Sequence, residues 1–504
     1  MQPAKSAPEE KRMGLAYWAK RVLEEGDKAS RDFAPDAVHD LRVAIRRCRS
    51  MAEGFRTVDP DPAWQQMRKL GKALFAGLGD LRDTQVMCEW ILKLSEPDDL
   101  VRHTLLQTLR QREAEQKSAA QQALHEFDRK HWLSLNAYLA NRTGKIPLEG
   151  LVFQHLALER WRDAHELHHR ALRNRSQVGY HQLRIGIKRF RYTVENFLPQ
   201  RHQKWAKDLR DLQDMLGEVH DFDVLWAMIR AHPEIGPEDH MRWRKRVLEE
   251  RQKRLDFYRS KMLGRNSLWY QWRSQLPSGE QLQQGVLARL KTWASSLDPD
   301  FSHATLVAKL ALCIYDGLVA HGVIRPTGRD RQLLEAAALL HEVGRSKRER
   351  GHHKLTYRMI SKLNVPFGWN ADELHEVSIV ARYHRGALSP SSNAVFTGIR
   401  GKRRTELLRL AGILRLANAF DFAHDQTIVY VDVERRDGLL QISSPGFESI
   451  SPTAERLARA RYLLEATCRV PVVVRPSTMR SAKRRGAPQR TTSPSASAER
   501  DSLT

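Results

Sequence analysis

Cysteine is scarce: Cys48, Cys88, Cys313 and Cys468 are the only four in 504 residues, scattered and without a CxxC pair. That excludes a disulfide framework and a cysteine zinc site, and it fits a reducing cytoplasm. Uninterrupted apolar runs are also missing. The opening MQPAKSAPEEKRMGLAYWAK has no continuous apolar stretch of the kind an export signal needs. The most apolar later segment, Ala304 to Ile324, is broken by Lys309, Asp316 and His321. A soluble cytoplasmic chain with no membrane attachment is expected. Acidic residues are outnumbered, 60 Asp and Glu against 84 Lys and Arg, and the net charge of +24 draws polyanions of any kind. Charge alone does not choose between nucleic acid, anionic lipid and polymeric phosphate. No helix-turn-helix, zinc-finger or aromatic RNP pattern is present to favour nucleic acid, which stays as an alternative partner.

The chain is too long for one ordinary core, so two or three domains are expected. Gly and Pro are rare inside long segments rich in Leu, Ala, Arg, Glu and Gln with apolar residues at three-four spacing, which predicts a mainly α protein. The exceptions mark boundaries. NRTGKIPLEG at 141–150 separates two helical blocks, about 7–140 and 151–275, and QLPSGEQ at 275–281 supplies a linker, 276–281, into a region at 282–475. There TIVYVDVERRDGLLQIS predicts a hairpin turning near Asp437-Gly438, and VPVVV at 470–474 a third strand. The Ser-, Arg- and Pro-rich tail, 476–504, is predicted to be disordered.

An internal repeat is the strongest signal. HDLRVAIRRCRS from His39 and HQLRIGIKRFRY from His181 share a histidine, an arginine three later, a basic pair at seven and eight, and an arginine at ten. A second element follows each copy, LGDLRDTQV from Leu78 and LGEVHDFDV from Leu216. At about 100° per residue, His39, Arg42, Arg46 and Arg49 form one stripe roughly 80° wide, with Leu41, Ala44, Ile45 and Cys48 behind it. His181, Arg184, Lys188 and Arg191 repeat the stripe over Leu183, Ile187 and Phe190. Each helix can thus bury an apolar back and present a cationic front. Like charges at this spacing repel, a cost that a bound polyanion reverses, and guanidinium forks suit phosphate oxygens. A solvated basic face is the competing explanation for one copy; recurrence with the histidine in place argues against it. Glu53 and Glu195, each fourteen after the histidine, are positioned to pair with the arginines. His165, His168 and His169 in AHELHHR lack a carboxylate or cysteine at ligand spacing and are read as a solvated polar face.

These paired motifs resemble those of the CHAD family, the conserved histidine α-helical domain, over roughly residues 7–275. The resemblance implies two pseudo-symmetric helical bundles around a basic channel that binds inorganic polyphosphate without catalysis. Carried over by position, the ligand-facing residues are His39, Arg42, Arg46, Arg47 and Arg49, with His181, Arg184, Lys188, Arg189 and Arg191. Arg170 and Arg173 on the preceding helix are further candidates. Tyr192 ends the second motif as the family often does; Ser50 stands there in the first.

The later region strings His303, His341-Glu342, His352-His353, His384 and Asp421 along predicted helices, the residue types with which a bundle holds a divalent ion that activates water on phosphate esters. AALLHEVG, HHKLTYRMI, ARYHRGALSP and LRLANAFDFAH resemble the C-terminal, HD-like all-α domain of the exopolyphosphatase and guanosine pentaphosphate phosphohydrolase family, including its small strand-containing end. The resemblance implies His303, His341, Glu342 and Asp421 as ligands for Mg or Mn. Two departures stand out. The nucleotide-fold catalytic domain of those phosphatases is absent, and the HD doublet reads His341-Glu342, whose longer carboxylate is expected to shift or abolish the metal geometry of an aspartate. The expected protein binds inorganic polyphosphate, has access to polyphosphate granules, and has a C-terminal domain serving for binding or homodimer formation. The alternative is a metal-dependent phosphohydrolase acting on polyphosphate or nucleotides.

Overall fold

The computed structural model describes residues 14–388, 395–399 and 401–477. All of the predicted disordered tail beyond Ser477 lies outside the described residues. Two compact units are present, Met1–Pro299 with Leu363–Leu374, and Asp300–Lys362 with His375–Thr504.

In the first unit the chain runs through α1 (Leu15–Asp32), α2 (Pro35–Arg56), α3 (Pro62–Gly77), α4 (Gly79–Leu94), α5 (Leu100–His125) and α6 (Arg129–Thr143). It continues through α7 (Leu151–Asn174), α8 (Gln177–Phe197), α9 (Pro199–Ala231), α10 (Pro237–Met262), α11 (Leu268–Ser274) and α12 (Gly279–Ser295). The two repeated motifs occupy α2 and α8. Their starts are encoded locally: Pro35 opens α2, where a missing N–H costs nothing, and Ser176 caps α8 by accepting from Gly179 N at 3.1 Å. The apolar backs are buried as the periodicity requires. Leu41, Ile45, Cys48, Leu183, Ile187 and Phe190 are all fully buried, each burial of a large aliphatic or aromatic side chain contributing about 1.5–3 kcal/mol.

The second element begins farther from its histidine in the first half, His39 to Leu78, than in the second, His181 to Leu216, and the difference has a simple origin. In the first half a five-residue loop, 57–61, joins α2 to α3, whereas in the second half Leu198 alone joins α8 to α9. The first loop is held from inside, because Asp59 accepts from Trp64 Nε1 at 2.8 Å and from Arg142 Nη2 at 2.6 Å. The α3–α4 break at Leu78 has no counterpart in the second half, where Leu216 lies within the 33-residue α9.

The two halves share their cores. Trp90 of α4 packs on Phe222 of α9 at 4.6 Å between centroids, and Phe55, Phe153 and Phe197 form one aromatic cluster. α2 and α8 meet directly near their C-terminal ends, where Asn196 Nδ2 donates to Ser50 Oγ at 2.7 Å and Gly54 lies under the Phe197 ring. A Cβ on Gly54 would come within 2.3 Å of that ring. Gly54→Ala is therefore expected to destabilise the first unit by about 1–3 kcal/mol, the usual cost of overpacking, and a denaturation curve of the full chain checks it. No loss of stability would mean that Phe197 has room to move.

The second unit is built from α13 (Phe301–Ala320), α14 (Gly328–Leu340), a short 3-10 turn (Val343–Ser346), α15 (His352–Ile360), the end of α16 (Ala371–Arg382) and α17 (Gly401–Phe420). By length and composition α13 is apolar enough to cross a membrane, and here it packs against α14 and α17 with Leu306, Val307, Leu310, Ile314 and Leu318 buried. The predicted hairpin is present as β1 (Asp432–Arg436) and β2 (Leu439–Ser444), antiparallel. Its turn residues Asp437 and Gly438 have φ of 49° and 75°, the left-handed pair that a two-residue hairpin turn demands. After α18 (Pro452–Ala460) and α19 (Tyr462–Cys468), β3 (Val472–Pro476) joins β2 in parallel, pairing Val472 with Leu440.

Candidate functional site

The cationic fronts of α2 and α8 line a common cavity. Its first lobe, about 480 Å³, takes His39, Arg42 and Arg46 from one motif and Arg184 and Lys188 from the other. α4 and α9 complete the wall with residues of the second repeated element: Arg82 and Asp83 from one copy, His220 and Asp221 from the other. The glycines of that element, Gly79 and Gly217, stand beside the two equivalent arginines; a Cβ there would lie 3.7 Å from Arg42 Nη1 and 3.9 Å from Arg184 Nε. A second lobe of about 410 Å³ shares Arg46, Phe75 and Lys188 with the first, so the two adjoin. Phe75 serves as a platform, with Arg42 and Arg49 over its ring at 4.1 and 5.0 Å, and its carbonyl accepts from Arg42 Nη1 at 3.1 Å.

Burial and crowding set the charge state. The Lys188 amine is pushed down to about 7 by desolvation and by Arg46, Arg184, Arg42 and Arg49. Burial likewise brings Arg42 down to about 10 and lowers Arg49 and His39, in each case with Arg46 among the repelling neighbours. Desolvation lifts the Asp221 carboxyl to about 6 despite Arg184 and the Trp90 indole donor. His220 is held near 4 by burial, Arg184 and His181.

The second unit gathers a different set. His341 sits just past the end of α14, with Glu342 beside it at the entry to the 3-10 turn; His352 begins α15 and His384 follows α16. In all three histidines Nδ1 meets the carbonyl three residues earlier, of Ala338 at 2.6 Å, Glu349 at 2.9 Å and Ala381 at 2.7 Å. Nδ1 therefore carries the donated proton, which in the neutral ring leaves Nε2 with a lone pair. These Nε2 atoms surround Glu342 Oε1, at 3.7 Å for His341, 3.3 Å for His352 and 3.5 Å for His384. The Nε2 atoms of His352 and His384 lie 3.2 Å apart, two lone pairs facing each other unless a proton or a cation lies between them. Two overlapping groups have the spacing of metal ligands: His303, His341 and Glu342, and Glu342, His352 and His384. Gly344 makes the docking possible, since a Cβ there would stand 2.4 Å from the His352 carbonyl. This donor set, buried imidazoles with one carboxylate, suits a divalent transition-metal ion such as Mn better than Mg, which takes oxygen ligands. A cavity of about 480 Å³ opens beside it, lined also by Arg345, Arg385, Arg415 and Arg459.

Residues 15–230 match the CHAD domain, and residues 289–438 match the Ppx/GppA phosphatase, domain III. The first unit carries a CHAD domain. Among curated proteins none matches the chain.

Within the CHAD domain the residues named from sequence divide. His39, Arg42, Arg46, Arg49, Arg184, Lys188 and Arg189 line one or both lobes. Arg47 and Arg191 instead converge on Glu195, Arg47 by a short ion pair and Arg191 at 3.6 Å; Arg47 also lies over Trp18 and Tyr192. Glu195 thus takes the pairing role foreseen for it, whereas Glu53 pairs with Arg68 at 2.9 Å and Arg56 at 3.2 Å, outside the motif. His181 lines neither lobe; its ring lies 4.7 Å from that of His220, which lines the first. Arg170 and Arg173 are exposed away from both lobes, and it is Arg160 of α7 that reaches the second. The AHELHHR face is not simply solvated: His168 is buried and meets the Tyr258 hydroxyl at 2.7 Å, and His165 stacks on Trp161 at 4.8 Å. Arg82, Asp83, His220 and Asp221 were visible only as members of an unexplained second repeat.

In the Ppx/GppA-like region, His303, His341 and Glu342 come together, while Asp421 acts one step back. Its Oδ2 holds His303 Nδ1 at 2.7 Å and its Oδ1 accepts from Gln426 N at 2.9 Å. His352 and His384 stand where a ligand set drawn from sequence had placed no one. The extra methylene of Glu342 does not remove its carboxylate from the cluster; it carries the carboxylate into it.

Proposed function

We propose that this chain binds inorganic polyphosphate in the cavity of its CHAD domain. The observation that carries the reading is that both copies of the motif present their arginines and lysine to one cavity, where burial and then mutual repulsion lower the affinity of Lys188, Arg42 and Arg49 for protons. A flexible polymer of phosphates supplies the missing negative charge at several points at once, and each guanidinium fork meets phosphate oxygens in good geometry. The direct test is titration of the full chain with long polyphosphate at several salt concentrations, against double-stranded DNA of equal charge. Affinity should fall steeply with salt and favour polyphosphate. Equal affinity for DNA at the same salt would return the cavity to a general polyanion site.

A pH dependence follows from the same charges. A bound polyanion favours the ammonium form of Lys188 and the neutral form of Asp221, raising both pKa values above about 7 and about 6. Binding then takes up protons, so affinity is greatest below about pH 6 and falls as pH rises through the neutral range. Calorimetry in buffers of different ionisation enthalpy reads the uptake directly. Lys188→Arg should remove most of it near pH 7; uptake that persists unchanged in that variant would assign it elsewhere.

The second unit supports a further reading, a metal-dependent phosphohydrolase, on the specific ground that three imidazoles with anchored Nδ1 atoms turn their Nε2 atoms toward one carboxylate. A divalent ion held there by Glu342, His341, His352 and His384 would lower the pKa of a bound water and polarise a phosphoryl group. The chain's own contribution is to orient those imidazoles through their Nδ1 contacts, with His303 fixed by Asp421, and to offer arginines to an anionic substrate. Phosphate release from polyphosphate and from nucleotides, with added Mn or Mg, tests it.

A further inference from the structure

We infer that the second lobe is where the polyanion is gripped, and that Arg68 and Arg160, which lie outside both copies of the repeat, bind the ligand there. This rests on the polyphosphate reading and adds to it which part of the cavity binds and which further side chains touch the polymer.

The two lobes are alike in size and unlike in charge. In the first, the cations face Asp83, Asp214 and Asp221, besides Glu218, which turns to Arg254 at 2.7 Å. That wall is close to balanced. In the second, Arg46, Arg49, Arg68, Arg160, Lys188 and Arg189 face a single carboxylate, Glu53, which is already engaged by Arg68 and Arg56. Among the described residues no carboxylate lies within ion-pair distance of Arg46, Arg49, Lys188 or Arg189, and Arg49 Nε is buried with no hydrogen-bond partner. Among the described residues Arg160 has one carboxylate partner, Asp163, at a long 3.8 Å. An anion entering the first lobe meets carboxylates as well as arginines; one entering the second meets almost unopposed positive charge, which salt screens little at distances within a Debye length.

The origin of these side chains matters as much as their number. The repeat supplies α2 and α8, but Arg68 comes from α3 and Arg160 from α7, so cations converge from four helices. A linear chain with oxygens on every phosphate can satisfy donors arriving from several directions, as a single carboxylate cannot. Helices fixed by the shared aromatic core also hold these donors in place before the ligand arrives, which reduces the ordering cost of binding.

The experiment compares full-length variants, with long polyphosphate and tripolyphosphate as probes. Glu53→Gln with Arg68→Gln removes the pair together, so that no carboxylate is released into the lobe; Arg160→Gln removes the second arginine from a different helix. Arg173→Gln, exposed on the same helix as Arg160, controls for loss of overall charge, and thermal melts establish folding. Each lobe variant should weaken binding on the order of tenfold and lower the salt slope by about one for every phosphate no longer neutralised, with Arg173→Gln near wild type. Should either variant melt early, Arg68→Lys or Arg160→Lys in its place should still lose the bidentate part of the interaction. Absence of wild-type binding sinks the polyphosphate reading itself. Wild-type binding that withstands both lobe variants, yet falls with Arg82→Gln in the first lobe, overturns this inference alone and moves the grip to the other side.

Discussion

Replacing Arg46 and Lys188 together by methionine is expected to reduce polyphosphate affinity by about a hundredfold or more while leaving the melting temperature unchanged or higher. Both residues line both lobes, so any chain occupying the cavity passes them. Two charge-assisted hydrogen bonds at about 1.5–3 kcal/mol each give that loss. The stability expectation runs the other way because Arg46 is among the neighbours that lower Arg42, Arg49, His39 and Lys188, so the folded protein is relieved of repulsion when the two charges go. Methionine keeps an unbranched side chain at both positions and, at 46, an apolar contact beside the Tyr192 ring, 5.9 Å from the Arg46 guanidinium. The measurement is a pair: titration with long polyphosphate, and a thermal melt without ligand. Undiminished affinity in a folded double variant would place the binding site outside this cavity.

His352→Ala and His384→Ala should each abolish divalent-metal binding by the second unit, an effect of at least about a hundredfold in affinity for the loss of one imidazole ligand. The expectation rests on the convergence of their Nε2 atoms on Glu342 Oε1, and it extends to the carboxylate. Glu342→Asp withdraws the carboxylate by one methylene from imidazoles that it now reaches at 3.3–3.7 Å, and is expected to weaken metal binding. That reverses what the doublet suggests by itself, since an aspartate there would be read as a restoration. Asp421→Asn should have a smaller effect, because Asp421 orients His303. Elemental analysis of the purified chain and calorimetry with Mn provide the readout, with phosphate release as a second. A wild-type protein that takes up no Mn, together with tighter binding by Glu342→Asp, would show that the carboxylate fills the ion's place.

Much of the fold was legible from sequence because the signals are local. Three-four periodicity fixes which face of α2 and α8 is buried, and Leu41, Ile45, Leu183 and Ile187 are buried accordingly. Asp437-Gly438 specifies its own turn, and the repeat identifies two related halves. The site was legible in part for the same reason. The helical stripe finds Arg42, Arg46, Arg184 and Lys188, whereas Arg47 lies off the stripe, and the structure turns it toward Glu195. Arg191 lies on the stripe and is nevertheless diverted to Glu195, its i+4 neighbour on α8, while the meeting of α2 and α8 brings Arg47 to the same carboxylate.

Sequence by itself thus determined the helical faces, the duplication, the hairpin and the excess of positive charge, since each depends on residues a few positions apart or on a sum over the chain. Tertiary structure alone decided what stands opposite those faces. Arg68 and Arg160 join the cavity, Asp83 and Asp221 balance one lobe, and His352 and His384 close on Glu342 only because helices distant in sequence pack together. Periodicity tells a side chain which way to point along its own helix; the cores formed around Trp90, Phe222, Phe55 and Phe197 determine what it meets there.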